Sequence, residues 1–400
     1  MEGTAHRWAS PGELVAYALP PGFHWLEILD AHAQSGASFL PIDVRLSARE
    51  QRRLIDLARP SVVVRPDEET VLADAAPIDP ERAWAVVATS GTSGQPRLAQ
   101  LPRAAVGSAV ASSLDALDAS AYDPWVSCLP PTHIGGLLVL LRGVLTGSRI
   151  IVQERFEPGA LLAHAPTGAH VSLVPTMLER LVRGAPDLSG LGAIVVGGGP
   201  LDPALRDAAQ RLGGRIVSTY GCTESCGGVV YDGVAFEGTR VRIAADKPDA
   251  IGGIEVAGPT LMDGYRADHA ATAEAFAADG WLRTGDLGRV DDEGRLQARG
   301  RSDDAIRTGA ETVWPDEVEA VLRTHPKVAD VAVAGRPDPE WGAHVVAWVV
   351  PRDPTDPPSL EQLREHARDA LARFKAPRDV RMVTTLPRTA NGKVRRSALP

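Results

Sequence analysis

The amino-acid sequence predicts an α/β protein: a large N-terminal domain of helix-covered sheets with a small β region, followed by a small C-terminal α+β domain. Three observations lead there. Short β-branched runs alternate with helix-length stretches through residues 25–219, the mark of layered α/β architecture. After about residue 251 the pattern breaks into shorter pieces separated by turn sequences. The 400 residues also exceed what one core ordinarily serves, since domains usually run to roughly 100–200 residues.

Taken in order, residues 25–34 read as a helix, 37–42 as a short apolar segment, 47–58 as a second helix and 61–64 as a β-branched strand. Further strands are expected at 83–88, 125–129, 150–152, 171–174, 193–196 and 216–219, mostly separated by stretches long enough for helices. One large open sheet covered by helices fits that order. Beyond residue 251, Asp279-Gly280, Asp286-Leu287-Gly288 and Asp292-Glu293-Gly294 divide strand-like pieces such as 296–298. A helix at 315–324, strands at 328–334 and 344–350, a proline-rich break at 351–358 and a helix at 360–373 form the α+β unit. The boundary is placed after Ser302, giving domains 1–302 and 303–400.

Bulk properties exclude several classes. No apolar run approaches the ~18 residues that span a bilayer. The start, Met1-Glu2-Gly3-Thr4-Ala5-His6-Arg7, lacks the basic and apolar regions of a secretory signal, so a cytoplasmic location is expected. A net charge of −9 argues against nucleic-acid or membrane-surface partners, which need a basic face. Three cysteines, Cys128, Cys222 and Cys226, are too few for a disulfide framework, and no second pair completes a metal site around the last two.

The segment Ala88-Thr89-Ser90-Gly91-Thr92-Ser93-Gly94-Gln95-Pro96-Arg97 follows an apolar strand candidate and crowds glycines and hydroxyls into one turn. Glycines let a backbone approach a polyphosphate, and exposed N–H groups with Ser and Thr hydroxyls can bond its oxygens. The spacing differs from the common Gly-x-x-x-x-Gly-Lys loop. On its own the segment reads equally as a phosphate cradle or a plain surface loop.

Four further segments follow in order: Ser218-Thr219-Tyr220-Gly221-Cys222-Thr223-Glu224, Trp281-Leu282-Arg283-Thr284-Gly285-Asp286, Gly300-Arg301-Ser302-Asp303-Asp304, and Pro387-Arg388-Thr389-Ala390-Asn391-Gly392-Lys393. Together with the glycine-rich segment they resemble the acyl-adenylate-forming enzymes, which include acyl-CoA ligases and peptide-synthetase adenylation domains. The resemblance implies ATP, Mg²⁺ and coenzyme A as co-substrates. It implies that Thr89, Ser90, Gly91, Thr92, Ser93 and Gly94 hold the β- and γ-phosphates, with Arg97, Tyr220 and Gly221 completing the nucleotide site. Glu224 would place the Mg²⁺ ion, Thr223 would meet the α-phosphate, and Asp286 and Arg301 would hold the ribose hydroxyls.

Lys393 stands out in a chain whose 42 basic residues include only four lysines, Lys247, Lys327, Lys375 and Lys393. In the family the corresponding lysine bridges the carboxylate and the α-phosphate during adenylation, a compact charge unlike a guanidinium fork. The small domain then rotates about a hinge, here Asp303, which removes the lysine and brings the Thr308-Gly309-Ala310-Glu311 turn toward the thiol. That domain is therefore expected to be mobile. One departure is plain: the phosphate segment continues Pro96-Arg97-Leu98 where the family usually has Pro-Lys-Gly.

Within the family the chain is most similar to short o-succinylbenzoate-CoA ligases of menaquinone synthesis, through Leu129-Pro130-Pro131-Thr132-His133-Ile134-Gly135-Gly136-Leu137, Val196-Gly197-Gly198-Gly199-Pro200, and Tyr220-Gly221-Cys222-Thr223-Glu224-Ser225-Cys226-Gly227-Gly228 with Tyr231-Asp232-Gly233. This implies a small aromatic carboxylic acid as substrate, with His133, Gly198, Gly199, Cys226 and Gly227 around it. Arg142 is suggested as the partner of a second, unreacting carboxylate. Two alternatives stay open: another aryl-acid ligase acting on benzoate- or anthranilate-like acids, and a non-catalytic adenylate-binding relative. Related ligases are often homodimers, and with no carrier domain after Lys393 the expected acceptor is free coenzyme A.

Overall fold

The computed structural model describes residues 10–90, 96–245, 250–309, 311–388 and 394–400. The chain divides into two compact units: one of Met1–Ala250, Ile254–Thr284 and Arg289–Gln297, the other of Ile251–Gly253, Gly285–Gly288 and Ala298–Pro400.

The first unit holds two seven-stranded sheets in place of the single large sheet expected. In one, Ala85–Ser90, Ser38–Pro41, Leu14–Tyr17 and Val62–Arg65 are successive parallel neighbours. Antiparallel strands close both sides, Glu68–Val71 beside Val62–Arg65, and Pro96–Leu101 with Gly264–Tyr265 beside Ala85–Ser90. In the other, Ile150–Val152, Trp125–Ser127, His170–Leu173, Ala193–Val196 and Arg215–Cys222 run parallel, followed by the antiparallel strand Gly227–Tyr231 and, at the end, Val234–Ala235. The turn back at each hairpin ends the parallel run, so neither set of strands extends into the other. The strand Leu14–Tyr17 was not anticipated.

Strand alternation sorts side chains between layers. Val15 and Tyr17 join the core that includes Trp25, Leu29, Val106, Val110, Leu137, Leu141 and Trp125, while Leu14 and Ala16 face the opposite cluster with Leu54 and Ala58. Helices His24–Ser35, Arg103–Leu117 and Ile134–Thr146 thus fill the space between the sheets. Helix Ala48–Ala58 covers the outer face of the first sheet, and Pro158–His164, Pro175–Gly184 and Pro203–Arg211 cover that of the second. Ser47 caps its helix in a reciprocal box with Glu50, which explains why that start was readable from sequence.

The second unit packs helices Pro315–Arg323 and Leu360–Ala370 on a sheet ordered Glu311–Val313, Ile306–Thr308, Gly342–Pro351, Val328–Asp338, with Asp379–Met382 parallel to Gly342–Pro351. The two long strands pair antiparallel over nearly their whole length, beyond the 328–334 and 344–350 expected. The pairing continues past the apolar run that sequence reading detects, as far as Asp338 opposite Gly342 at the turn.

Candidate active site

In the first unit several of the expected residues, with Asp43 beside them, follow the carboxyl ends of parallel strands, where open α/β sheets collect their ligands. Ser38–Pro41 leads to Asp43, Ala85–Ser90 leads to the glycine-rich segment, and Trp125–Ser127 leads to His133. Ala193–Val196 leads to Gly197, Gly198 and Gly199, and Arg215–Cys222 leads to the 3-10 turn Thr223–Ser225.

Thr89 pairs with Arg97 and Ser90 with Pro96 across an antiparallel ladder. Gly91, Thr92, Ser93 and Gly94, assigned to the phosphates, lie outside the described residues, as does Lys393.

Glu224 sits on its turn with one carboxylate oxygen accepting the Tyr265 hydroxyl at 2.8 Å. Tyr265 is placed by backbone pairing with Ala99, and the Glu224 carbonyl accepts from the Met262 N–H at 2.8 Å. Burial, with the Glu224 charge beside it, pushes the Tyr265 phenol well above its ordinary value, so it stays a donor. The Arg97 guanidinium lies 5.3 Å from the Tyr265 ring centroid and 3.9 Å from Glu274. This gives the lysine-to-arginine departure a physical reason, because a planar guanidinium stacks on a ring as an ammonium does not. Tyr265 was missed by sequence reasoning; the Gly264-Tyr265 pair carries no spacing signal, and only the sheet brings it to Glu224. Replacing Arg97 by lysine is expected to raise the KM for MgATP about two- to fivefold with little change in kcat, the size of an exposed cation–π contact; steady-state kinetics checks it.

The donor set suits magnesium arriving with a nucleotide. Mg²⁺ takes hard oxygen ligands and is typically held by one or two carboxylates together with substrate phosphates. Glu224 offers such a carboxylate, oriented by Tyr265 and half-buried. Among the described residues no group of three or more His, Cys, Asp or Glu could hold an ion.

Tyr220 donates its hydroxyl to Thr284 Oγ1 at 3.0 Å, and Thr284 donates on to the Ile254 carbonyl at 2.9 Å. Gly221 lies where the strand register shifts, facing Gly228. A Cβ there would strike the Gly227 carbonyl, so only glycine allows the strands to meet before the Thr223 turn. Cys226 and Gly227 follow at φ 53° and 90°, and Cys226 is fully buried. Burial in the core raises the Cys226 thiol well above its ordinary value, so it is unreactive and, contrary to expectation, is not exposed to a substrate.

His133 precedes helix Ile134–Thr146, with Nε2 4.0 Å from Asp43 Oδ2. Asp43 accepts from the Arg45 backbone N–H at 2.9 Å and from its guanidinium at 2.6 Å. Burial pushes the Asp43 carboxyl up, but the Arg45 hydrogen bonds and charge, aided by His133, outweigh it and hold the group below its ordinary value. Asp43 was also missed, although its place after the apolar strand was a readable signal. Gly198 adopts φ 80° at the end of its strand, and Gly199 follows it.

Arg142 does not face an acid pocket. Its guanidinium is buried in the core, donating to Ser113 Oγ at 2.7 Å and lying 4.2 Å from the Trp125 ring centroid. Ser113 is in turn bonded to the Tyr231 hydroxyl at 2.8 Å. Helix Ile134–Thr146 is buried along residues 136–142, so it has no polar face to present the side chain outward.

In the second unit, Arg301 Nη1 lies 3.4 Å from Asp286 Oδ1. Gly285, at φ 74°, lets this guanidinium cross close to its backbone, since a Cβ would lie 3.0 Å from Nη2. The two residues expected at a ribose are therefore side by side. Asp303 is exposed in the 3-10 turn Ser302–Asp304, and Gly309 donates its N–H to the Trp341 carbonyl at 2.8 Å, holding the expected thiol-facing turn; Ala310 lies outside the described residues.

Parallel strands that end in a half-buried carboxylate, oriented by a tyrosine, and in a run of glycines at 197–199 define an α/β enzyme class that handles a charged ligand at its strand ends. The AMP-binding enzyme model matches residues 6–266 and the AMP-binding enzyme C-terminal domain model matches 317–393, so the chain belongs to the AMP-binding enzyme family. It is 40% identical over 326 residues to a probable 2-succinylbenzoate–CoA ligase of Mycobacterium tuberculosis, covering 78% of this chain and 83% of that protein. It is similar to o-succinylbenzoate CoA synthetase of Bacillus subtilis in complex with its acyl-adenylate intermediate, with TM-score 0.87, 26% identity, and coverage of 97% and 88%. The same B. subtilis enzyme with ATP and magnesium ion matches at TM-score 0.87, 26% identity, and coverage of 98% and 90%. No helix among the described residues is long and apolar enough to cross a membrane.

Proposed function

We propose that this protein is an ATP-dependent, AMP-forming acid-thiol ligase acting on o-succinylbenzoate in menaquinone biosynthesis. The observation that carries the reaction is Glu224, oriented by Tyr265 on the turn that follows strand Arg215–Cys222. The likeness to 2-succinylbenzoate–CoA ligase over 78% of the chain supports the choice of acid.

A carboxylate is a poor electrophile, so activation comes first. A substrate carboxylate oxygen attacks the α-phosphorus of ATP, and the bond to pyrophosphate breaks. Magnesium supplies positive charge on the phosphates, while Glu224 orients it. Thr223 meets the α-phosphate, and Lys393 neutralises the charge shared by carboxylate and phosphorus. Asp286 and Arg301 hold the ribose diol. The coenzyme A sulfur, losing its proton, then attacks the acyl carbon and AMP leaves. The boundary expected after Ser302 falls inside the second unit, whose last segment starts at Ala298, and the rotation proposed at Asp303 separates the two steps. The setting proposed is cytoplasmic and the assembly a homodimer.

The test supplies ATP, Mg²⁺, coenzyme A and a panel of o-succinylbenzoate, benzoates, anthranilate and medium-chain fatty acids, following pyrophosphate and thioester by mass spectrometry. Selective conversion of o-succinylbenzoate is expected. Preference for another acid overturns the substrate, and no turnover of any acid overturns the ligase assignment.

A further inference from the structure

The segment ending in Lys393 is bracketed by fixed points. Arg388 and Val394 form an antiparallel bridge, and the Arg395 N–H donates to the Pro387 carbonyl at 2.8 Å. Arg388 is held by Asp330 at 2.5 Å. On the far side, Arg396 meets three carboxylates: Asp316 at 2.7 Å, Glu319 at 2.8 Å and Asp304 at 3.4 Å. Its Nε also donates to the Val333 carbonyl at 3.0 Å.

These partners come from different parts of the small unit. Asp304 closes the 3-10 turn that contains Asp303, Asp316 and Glu319 belong to helix Pro315–Arg323, and Val333 lies in strand Val328–Asp338. The Arg396 side chain is only 18% exposed and that of Glu319 only 4%, so solvent screens the contacts weakly. Burial pushes the Asp304 and Glu319 carboxyls above their ordinary values, and the Arg396 charge opposes that shift. A fork of five N–H donors can meet carboxylates on two sides and a carbonyl at once; an ammonium cannot do so in one plane.

We propose that Arg396 is a positioning residue for adenylation: it ties the chain end, three residues beyond Lys393, to Asp304 beside the turn at Asp303 and to helix Pro315–Arg323. The inference rests on the adenylating role proposed for Lys393. It adds that the role depends on a partly buried ion cluster within the small unit.

The experiment separates the half-reactions. Adenylate formation is followed as pyrophosphate released in a single turnover, and thioester formation is followed from the chemically prepared acyl-adenylate with coenzyme A. Arg396→Met is expected to lower the first by roughly ten- to a hundredfold, the cost of small misplacement at a reacting centre, and to leave the second within about threefold. Asp304→Asn, which keeps the Asp316 and Glu319 contacts, is expected to fall between wild type and Arg396→Met, and it carries the test if the first variant does not fold. Equal loss of both half-reactions, or loss of neither, overturns the inference. Lys393→Ala is the reference: if it leaves adenylation intact, the lysine's role and this inference fall together, whereas its loss without a selective effect in the other variants removes this inference alone.

Discussion

Substituting Glu224 by glutamine is expected to slow acyl-adenylate formation by on the order of 10²–10³-fold, the scale of removing one electrostatic stabiliser from a preorganised site. The amide keeps the shape and can still accept from Tyr265, whose hydroxyl lies 2.8 Å away, but it loses the charge that magnesium needs. Tyr265→Phe keeps the ring under Arg97 and removes only that hydroxyl, so a loss of about five- to tenfold is expected, near 1 kcal/mol. Single-turnover pyrophosphate release on both variants and on the double variant reads the coupling. If Tyr265 acts by orienting Glu224, the double variant is no slower than Glu224→Gln alone. Fully multiplicative losses would show that the two residues act independently.

Gly221→Ala is expected to be the most damaging conservative change. The added methyl would overlap the Gly227 carbonyl, a backbone group that cannot rotate away. The pairing of Gly221 with Gly228 and of Cys222 with Gly227 must then open, shifting Thr223, Glu224 and Cys226 together. Overpacking of this kind costs about 1–3 kcal/mol, and displacement of the turn is expected to lower adenylation by on the order of 100-fold. Denaturant melts and single-turnover assays report the two effects separately. A fully active, equally stable alanine variant would mean the strands part at little cost.

Helices with caps or strong amphipathic period were readable, as at Ala48–Ala58 with its Ser47 box and at Leu360–Ala370 beginning after Ser359. Strands that are short apolar runs were found with their ends, Ile150–Val152 and Ala193–Val196 among them. Arg215–Cys222 runs three residues beyond the apolar stretch because Gly227–Tyr231 pairs with its polar end. Nothing local marks that partner. The single-sheet expectation failed for the same reason, since sheet membership is decided by hydrogen bonds between residues far apart in the chain.

At the site, ordered motifs named Thr223, Glu224, Asp286 and Arg301 because each belongs to a short run of residues with one local geometry. Tyr265, Asp43 and the Arg396 partners escaped because each matters through a neighbour distant in sequence. Arg142 was misplaced for the converse reason: a charge invites a functional role until burial against Trp125 and Ser113 is seen.

By itself the sequence determined the α/β class, the order of the motifs and the chemistry they bring, since these depend on residue type and spacing along the chain. Only the tertiary structure decided that the parallel strands divide between two seven-stranded sheets, that Tyr265 holds Glu224, that Arg142 is core, and that Arg396 ties the tail to Asp304. Those contacts join residues tens to hundreds of positions apart, and their strength comes from burial and from hydrogen-bond direction, which exist only once the layers have packed.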